Sequence, residues 1–94
     1  MSKLTGGQIK EQLKTAPQWK KKGLNITRTF KFKDFLSALK FVNAVAKPAE
    51  KMQHHPDIDI RWNKVTLALS THDQGGLSIK DFEMAKKIDA IAEK

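Results

Sequence analysis

The spacing of apolar residues changes twice along this chain of 94 residues, and that change limits the possible folds more than any other feature. Between about residues 34 and 54, apolar side chains recur every three or four positions, which is typical of one face of an α-helix; they are Phe35, Leu36, Leu39, Val42, Ala46, Ala49 and Met52. On both sides of this stretch apolar residues alternate with polar ones, as in strands with one buried face. The sequence therefore predicts a long central helix between two pairs of strands.

The first predicted pair of strands runs from Trp19 to Lys22 and from Asn25 to Phe32, with a bend at Gly23. The apolar face of its second strand carries one charged residue, Arg28. The second pair is marked by Ile58, Ile60 and Trp62 and then by Val65, Leu67 and Leu69, and Asn63-Lys64 is the candidate for the tight turn between them. Alternation places the carboxylates of Asp57 and Asp59 on the solvent side.

Helix boundaries are marked by capping residues and prolines. Thr5 to Gln8 and Ser78 to Asp81 both have the spacing of a capping box, which predicts a helix start at each. The first helix is expected to run to about Ala16, and the last one turns Phe82, Ala85, Ile88 and Ile91 inward. Pro48 is expected to kink the central helix without breaking it, and Pro56 to end it near His54.

These elements give the order α-β-β-α-β-β-α. We therefore predict an α+β fold with a four-stranded antiparallel sheet and helices packed on one face. A chain of this length supports one modest core, so we expect a single domain spanning residues 1–94.

Composition removes several functional classes. The chain has no cysteine, which excludes disulfides, cysteine-based zinc sites and a thiol nucleophile. The formal net charge is +8, but only Arg28 and Arg61 are arginines, which disfavours sequence-specific nucleic-acid recognition as the function. With neither an apolar membrane span nor a signal-peptide core, the protein is expected to be cytoplasmic.

The three histidines lie around the second pair of strands. His54 and His55 are predicted at the C-terminal end of the central helix, where the helix dipole favours a protonated imidazole. Glu50 precedes His54 by four residues and is expected to hydrogen-bond it, and His72 ends the fourth strand. Three interpretations stay open: histidines without a shared role, a zinc site, or a proton-transfer site. Adjacent histidines project in different directions, which disfavours zinc.

The order and spacing of these residues resemble the signature of the pterin-4a-carbinolamine dehydratases. The resemblance rests on Glu50, His54, His55, Pro56, Trp62 and His72, and on the flanking segments 62–65, 70–72, 75–78 and Asp81. It covers nearly the whole chain, although Pro48 and the N-terminal segment match less well.

The resemblance implies an enzyme that removes water from a 4a-hydroxytetrahydropterin and so recycles the cofactor of aromatic amino-acid hydroxylases. It also implies the same fold, a homodimer or homotetramer, a pterin substrate, and neither a metal nor a further cofactor. By analogy His54 and His72 transfer protons and His55 binds the pterin, while the supporting residues are Glu50, Pro56, Trp62 and Asp81. The alternative is a non-catalytic interaction module of the same fold, acting as a transcriptional cofactor or an assembly factor.

Overall fold

A computed structural model describes residues 3–93 and confirms the predicted α+β class and element order. The elements are α1 (Gly6–Leu13), β1 (Lys20–Lys22), β2 (Asn25–Lys31), α2 (Phe35–Met52), β3 (Asp57–Arg61), β4 (Lys64–Leu69) and α3 (Ile79–Ala92). Both predicted capping boxes are present, at the start of α1 and of α3. Within the described range, no helix combines the length and the apolar character needed to cross a bilayer.

The sheet is antiparallel throughout, with the strand order β1-β2-β4-β3. The two hairpins lie side by side, so that β2 and β4 form the centre and β1 and β3 form the edges. Asp57 pairs with Ala68 and Ile26 pairs with Leu69. The starts of β2 and β3 therefore meet the end of β4 at one end of the sheet, which we call the histidine end because His54, His55 and His72 flank it.

One face of the sheet is buried beneath the helices, and its central strands contribute Ile26, Phe30, Val65, Leu67 and Leu69 to the core. The opposite face, which we call the open face, carries small polar and alanine side chains from the same strands. Thr29 and Thr66 face each other there across β2 and β4, with their hydroxyl oxygens 2.8 Å apart. The alternation predicted from the sequence thus separates a core face from a polar face.

The central helix buries a stripe that only partly matches the predicted one. Of the predicted residues, Ala49 is buried and Val42 and Met52 pack against the core, whereas Phe35, Leu36 and Ala46 are exposed. The other residues that face the core are Ala38, Phe41 and Val45, so the buried stripe has the same helical spacing but is rotated around the axis. The helix continues through Pro48, so the proline does not break it. This arrangement leaves an apolar surface at the start of α2.

Two helices end earlier than predicted. Beyond Leu13 the chain makes tight turns. The N–H of Thr15 donates to the carbonyl of Gln12, and the N–H of Ala16 donates to the carbonyl of Leu13. The central helix ends at Met52 because Gln53 adopts the left-handed conformation, with φ at 52°. A left-handed residue reverses the chain direction at a helix end, so His54 leaves the helical path.

The turn between β3 and β4 is also shifted by one residue from the prediction. Because Arg61 pairs with Lys64, the two turn residues are Trp62 and Asn63. Trp62 has a φ of 53°, a backbone conformation that residues other than glycine, asparagine and aspartate rarely adopt. Asn63 holds this turn, since its Nδ2 donates to the carbonyl of Phe32 at 2.8 Å.

Candidate active site

The centre of the candidate site is a buried pair between His54 and Asp81. The reversal at Gln53 turns His54 inward, where it is 8% exposed. Its Nε2 lies 2.5 Å from Oδ1 of Asp81, in the first turn of α3. Asp81 is 0% exposed, so this carboxylate contacts only protein.

Three further hydrogen bonds surround the Asp81 carboxylate. Its Oδ2 accepts the N–H of Ser78 and the hydroxyl of Thr71, both at 2.9 Å. The Thr71 hydroxyl has a single hydrogen, so it accepts the hydroxyl of Ser78 at 2.7 Å. Because Oδ2 already accepts from two donors, we assign Asp81 as the acceptor toward His54 and place a hydrogen on His54 Nε2.

The other ring nitrogen of His54, Nδ1, takes part in none of the side-chain hydrogen bonds within residues 3–93. Every fully buried side-chain nitrogen or oxygen in that range has a hydrogen-bond partner. Nδ1 is therefore not completely enclosed and is the ring nitrogen left for a ligand.

Glu50 pairs with His55, and the predicted bond from Glu50 to His54 is wrong. That prediction required the helix to continue through residue 54, whereas α2 ends at Met52. The carboxylate of Glu50 instead contacts Nε2 of His55, and both side chains are more than half exposed. Each of the adjacent histidines therefore has its own carboxylate, one buried and one in water.

His72 joins this end of the sheet from the other strand. It starts a short 3₁₀ turn directly after Thr71, the residue that donates to Asp81. His72 is exposed and lines a cavity of about 640 Å³ on the open face, together with Thr66, Ala68 and Ser70. Among residues 3–93, no hydrogen bond joins one histidine ring to another.

The two other predicted site residues lie at opposite ends of β3. Pro56 is half-buried and immediately precedes the strand beside His55. Trp62 follows its far end and is 71% exposed. The strand has five residues, which separates its ends by about 13 Å at about 3.3 Å per residue. A single copy of the chain therefore does not bring Trp62 beside the histidines.

Sequence reasoning missed Thr71 as part of the site. The capping box predicted Ser78 and Asp81 as partners, but it assigned Asp81 only to its own helix end. A buried carboxylate needs more hydrogen bonds than one cap provides, and that requirement is the signal that would have pointed to a further donor. In the part of the chain that the structure describes, no cluster of three or more histidines and carboxylates is arranged to hold a metal ion.

Fold and site together define a small α+β protein with paired imidazole and carboxylate groups at one end of its sheet. A solved structure with this architecture, described as a transcriptional coactivator/pterin dehydratase from Brucella melitensis, is 40% identical and superposes with a TM-score of 0.93 over 97% of this chain and 99% of that one. A pterin dehydratase-like protein identified as a RuBisCO assembly factor in the alpha-carboxysome shares the fold, at 23% identity and a TM-score of 0.64 over 79% of this chain and 86% of that one.

Residues 2–91 match the family model for pterin 4 alpha carbinolamine dehydratase. A protein of Acidobacterium capsulatum, named provisionally as a pterin-4-alpha-carbinolamine dehydratase, is 50% identical over 91 residues, which are 97% of this chain and 99% of that protein. The chain belongs to the pterin 4 alpha carbinolamine dehydratase family.

Proposed function

We propose that this protein is a dehydratase that removes water from a 4a-hydroxytetrahydropterin to give the quinonoid dihydropterin, by histidine acid–base catalysis. In the cell this reaction would recycle the tetrahydropterin cofactor of aromatic amino-acid hydroxylases. The buried His54–Asp81 pair is the observation that carries the proposal. In the reaction the 4a-hydroxyl takes up a proton and leaves as water, while N5–H loses a proton. Imidazoles suit both transfers, since they donate and accept protons near neutral pH.

His54 is the first proposed catalytic residue. The Asp81 carboxylate holds its Nε2 and so fixes the tautomer and orientation of the ring. Nδ1 is then the nitrogen that exchanges a proton with the pterin. Asp81 acts as a positioning residue because it reaches the substrate only through His54.

His72 is the proposed partner in proton transfer, and His55 the residue that binds the pterin. The accessible ring of His72 lines a cavity at the histidine end. His55 is oriented by Glu50 at the surface, where it can meet a polar edge of the substrate. Pro56 supports this arrangement by fixing the backbone between His55 and β3.

The proposal is tested with a freshly generated 4a-hydroxytetrahydropterin, whose decay is followed by ultraviolet absorbance. The purified protein is expected to accelerate the decay, and His54→Ala and His72→Ala are each expected to lose more than about tenfold in rate. Thr15→Ala, a substitution at an exposed position in the turn after α1, is the control. Decay at the buffer rate in the presence of folded protein would overturn the proposal.

We also propose that the protein is a cytoplasmic homodimer or homotetramer. The edge strand β3 supports this, since Ile58 on the strand and Trp62 in the turn after it are exposed and an uncovered strand edge is able to pair with another chain. A second copy could also bring Trp62 to a site that it does not reach within one chain. Light scattering across protein concentrations tests the assembly, and a monomer at every concentration would contradict it.

An interaction module is the second candidate function. The exposed apolar residues Phe35 and Leu36 at the start of α2 favour it, because such patches often mark protein–protein contacts. A module would keep its function when His54 and His72 are replaced. Saturable stabilisation against heat by an oxidised pterin would favour the enzyme.

A further inference from the structure

The cavity that contains His72 is lined by several polar side chains together with apolar surface, and no carboxylate is among its lining residues. Its volume of about 640 Å³ lies within the range of about 300–1,000 Å³ that is common for small-molecule sites. The groups able to bond a ligand are Lys22, Asn25, Thr27, Thr66, Ser70 and His72. Lys22 brings a positive charge to the wall formed by the first hairpin. By the same register, Asp57 and Asp59 of β3 pair with Ala68 and Thr66 and so lie on the open face beyond β4, but neither carboxylate is part of this lining.

A second cavity of about 530 Å³ continues the first along β1. The two share Lys22 and Thr27, so we treat them together as the open-face trough. The register sets which lysines point into it. Lys20 pairs with Thr27 and Lys22 with Asn25, and both partners line the trough. These two ammonium groups therefore project on the open face.

Lys21 also borders the second cavity, but it pairs with the buried residue Ile26, so its side chain leaves the strand on the opposite face. Its Nζ donates to the carbonyl of Gly23 at 2.9 Å and so holds the hairpin turn. Among residues 3–93, no carboxylate lies within ion-pair distance of Lys20 or Lys22. Their charge is consequently available to a ligand.

Lysines on an edge strand also keep other strands from pairing with it. That role would explain the charge of β1, but it does not require a concave surface that continues to a histidine. The open-face trough joins Lys20 and Lys22 at one end to His72 at the other. A ligand bound at His72 would therefore lie in the field of both lysines.

We infer that the open-face trough binds the C6 side chain of the pterin substrate, and that this side chain carries a phosphate ester or a carboxylate. The inference rests on the proposed function, since it places the reacting ring at the histidine end. Lysine ammonium groups bind phosphate and carboxylate as point charges, and hydroxyls such as those of Thr66 and Ser70 add hydrogen bonds. Binding energy from this remote part of the substrate would help to hold the ring beside His54 and His72.

The experiment compares three oxidised pterins that differ only at C6: the hydroxymethyl compound, its phosphate ester and the 6-carboxylate. Quenching of pterin fluorescence gives a Kd for each with the full-length protein. At low salt at least one anionic pterin is expected to bind about tenfold more tightly than the alcohol, and the preference is expected to fade near 1 M salt, where the Debye length is about 3 Å. The two anions distinguish a phosphate site from a carboxylate site.

Variants show which lysines cause the preference for an anionic pterin. Lys22→Gln and Lys20→Gln are each expected to lower the ratio of the affinity for the anionic pterin to that for the alcohol severalfold, and the double variant is expected to bring this ratio close to one. Lys87→Gln makes the same change in net charge on an exposed position of α3, and is expected to keep the wild-type ratio. Equal binding of all three pterins by the wild-type protein would overturn the inference and leave the proposed function standing.

Two other results would also overturn it. A ratio that falls equally in Lys87→Gln would trace the preference to net charge alone. Weaker binding of duplex DNA by Lys20→Gln and Lys22→Gln, with an unchanged pterin ratio, would reassign these lysines to a nucleic-acid surface. Failure to bind any of the three pterins would count against the inference and the proposed function together.

Discussion

The imidazole of His54 and the carboxylate of Asp81 lie 27 positions apart in the chain and 2.5 Å apart in the structure. Two local features produce this contact. Gln53 turns His54 inward, and Ser78 starts α3 so that Asp81 lies in its first turn. The same carboxylate accepts from Thr71, the neighbour of His72. One buried group thus connects the two polypeptide segments that carry the proposed proton-transfer residues.

Asp81→Asn tests this connection. The amide keeps the shape, but it turns one acceptor oxygen into a donor that faces either His54 or the Thr71–Ser78 pair. We expect the dehydration rate to fall more than about tenfold and the free energy of unfolding to fall by roughly 1–3 kcal/mol, the usual cost of unsatisfied buried polar groups. Urea unfolding and the absorbance assay measure the two effects. Glu83→Gln, on the exposed side of the same helix, should change neither.

Glu50→Gln tests the other carboxylate and should behave differently. The Glu50–His55 pair is largely exposed, and exposed pairs contribute about 0–1 kcal/mol. We therefore expect a small change in stability but a severalfold rise in KM, because His55 loses its orienting partner. A variant with normal KM would show that His55 needs no help from Glu50. A large loss of stability together with the rise in KM would indicate a structural role.

Arg28→Met tests the charged residue on the core face of β2. Its guanidinium donates to Oδ1 of Asp89 at 2.6 Å, an oxygen that also accepts the indole N–H of Trp19 at 2.9 Å. The guanidinium also lies 4.2 Å from the centre of the Phe30 ring. The ion pair is about a quarter exposed. We therefore expect its loss to lower the free energy of unfolding by roughly 1–3 kcal/mol, which is less than the cost of breaking a fully buried pair.

Arg61→Met is the matched control for that prediction. Arg61 pairs with Asp59 on the exposed edge strand, so its removal should cost less than about 0.5 kcal/mol. Thermal unfolding of the two variants gives the comparison. Equal effects would show that Arg28 contributes nothing as a link between α3 and the first hairpin.

Asp34 provides a prediction about the stability of the protein at low pH. It caps α2, and the backbone and side-chain hydrogen bonds from Ser37 lower the pKa of Asp34 from its ordinary value of 3.8. A carboxylate whose pKa is lowered by folding stabilises the fold when the pH is above its pKa in the unfolded chain. This contribution disappears as the pH falls through its lower pKa in the folded protein. Asp34→Asn, a neutral cap, should therefore be less stable than wild type at about pH 6 and equally stable at about pH 2. Unfolding midpoints measured across that range check this, and a constant gap would contradict it.

Much of the local structure is predictable from short stretches of sequence. Both capping boxes depend on side chains three residues apart, and the hairpin turn at Gly23 depends on a residue that tolerates a φ of 61°. The face assigned to Arg28 follows from simple alternation along one strand. Such features depend on neighbours in the chain, so the sequence alone contains the information for them.

Other features depended on packing between distant segments. The sheet order that sets β2 beside β4 has no signal in either hairpin. The buried stripe of α2 was predicted correctly only toward its C-terminal half, where Ala49 is buried. Phe35 and Leu36 are as apolar as the residues that face the core, yet they are exposed. The expected Glu50–His54 bond assumed that α2 continues to residue 54, two residues beyond its end at Met52.

The amino-acid order alone thus specified the class of fold, the sequence of helices and strands, and the residue types available for proton transfer. Periodicity and capping specify these because they act over only a few residues. Tertiary structure decided which carboxylate meets which histidine, and it placed Lys20 and Lys22 on the same face as His72. Those relations arise only when strands pair and helices dock, since burial and register determine which distant side chains meet.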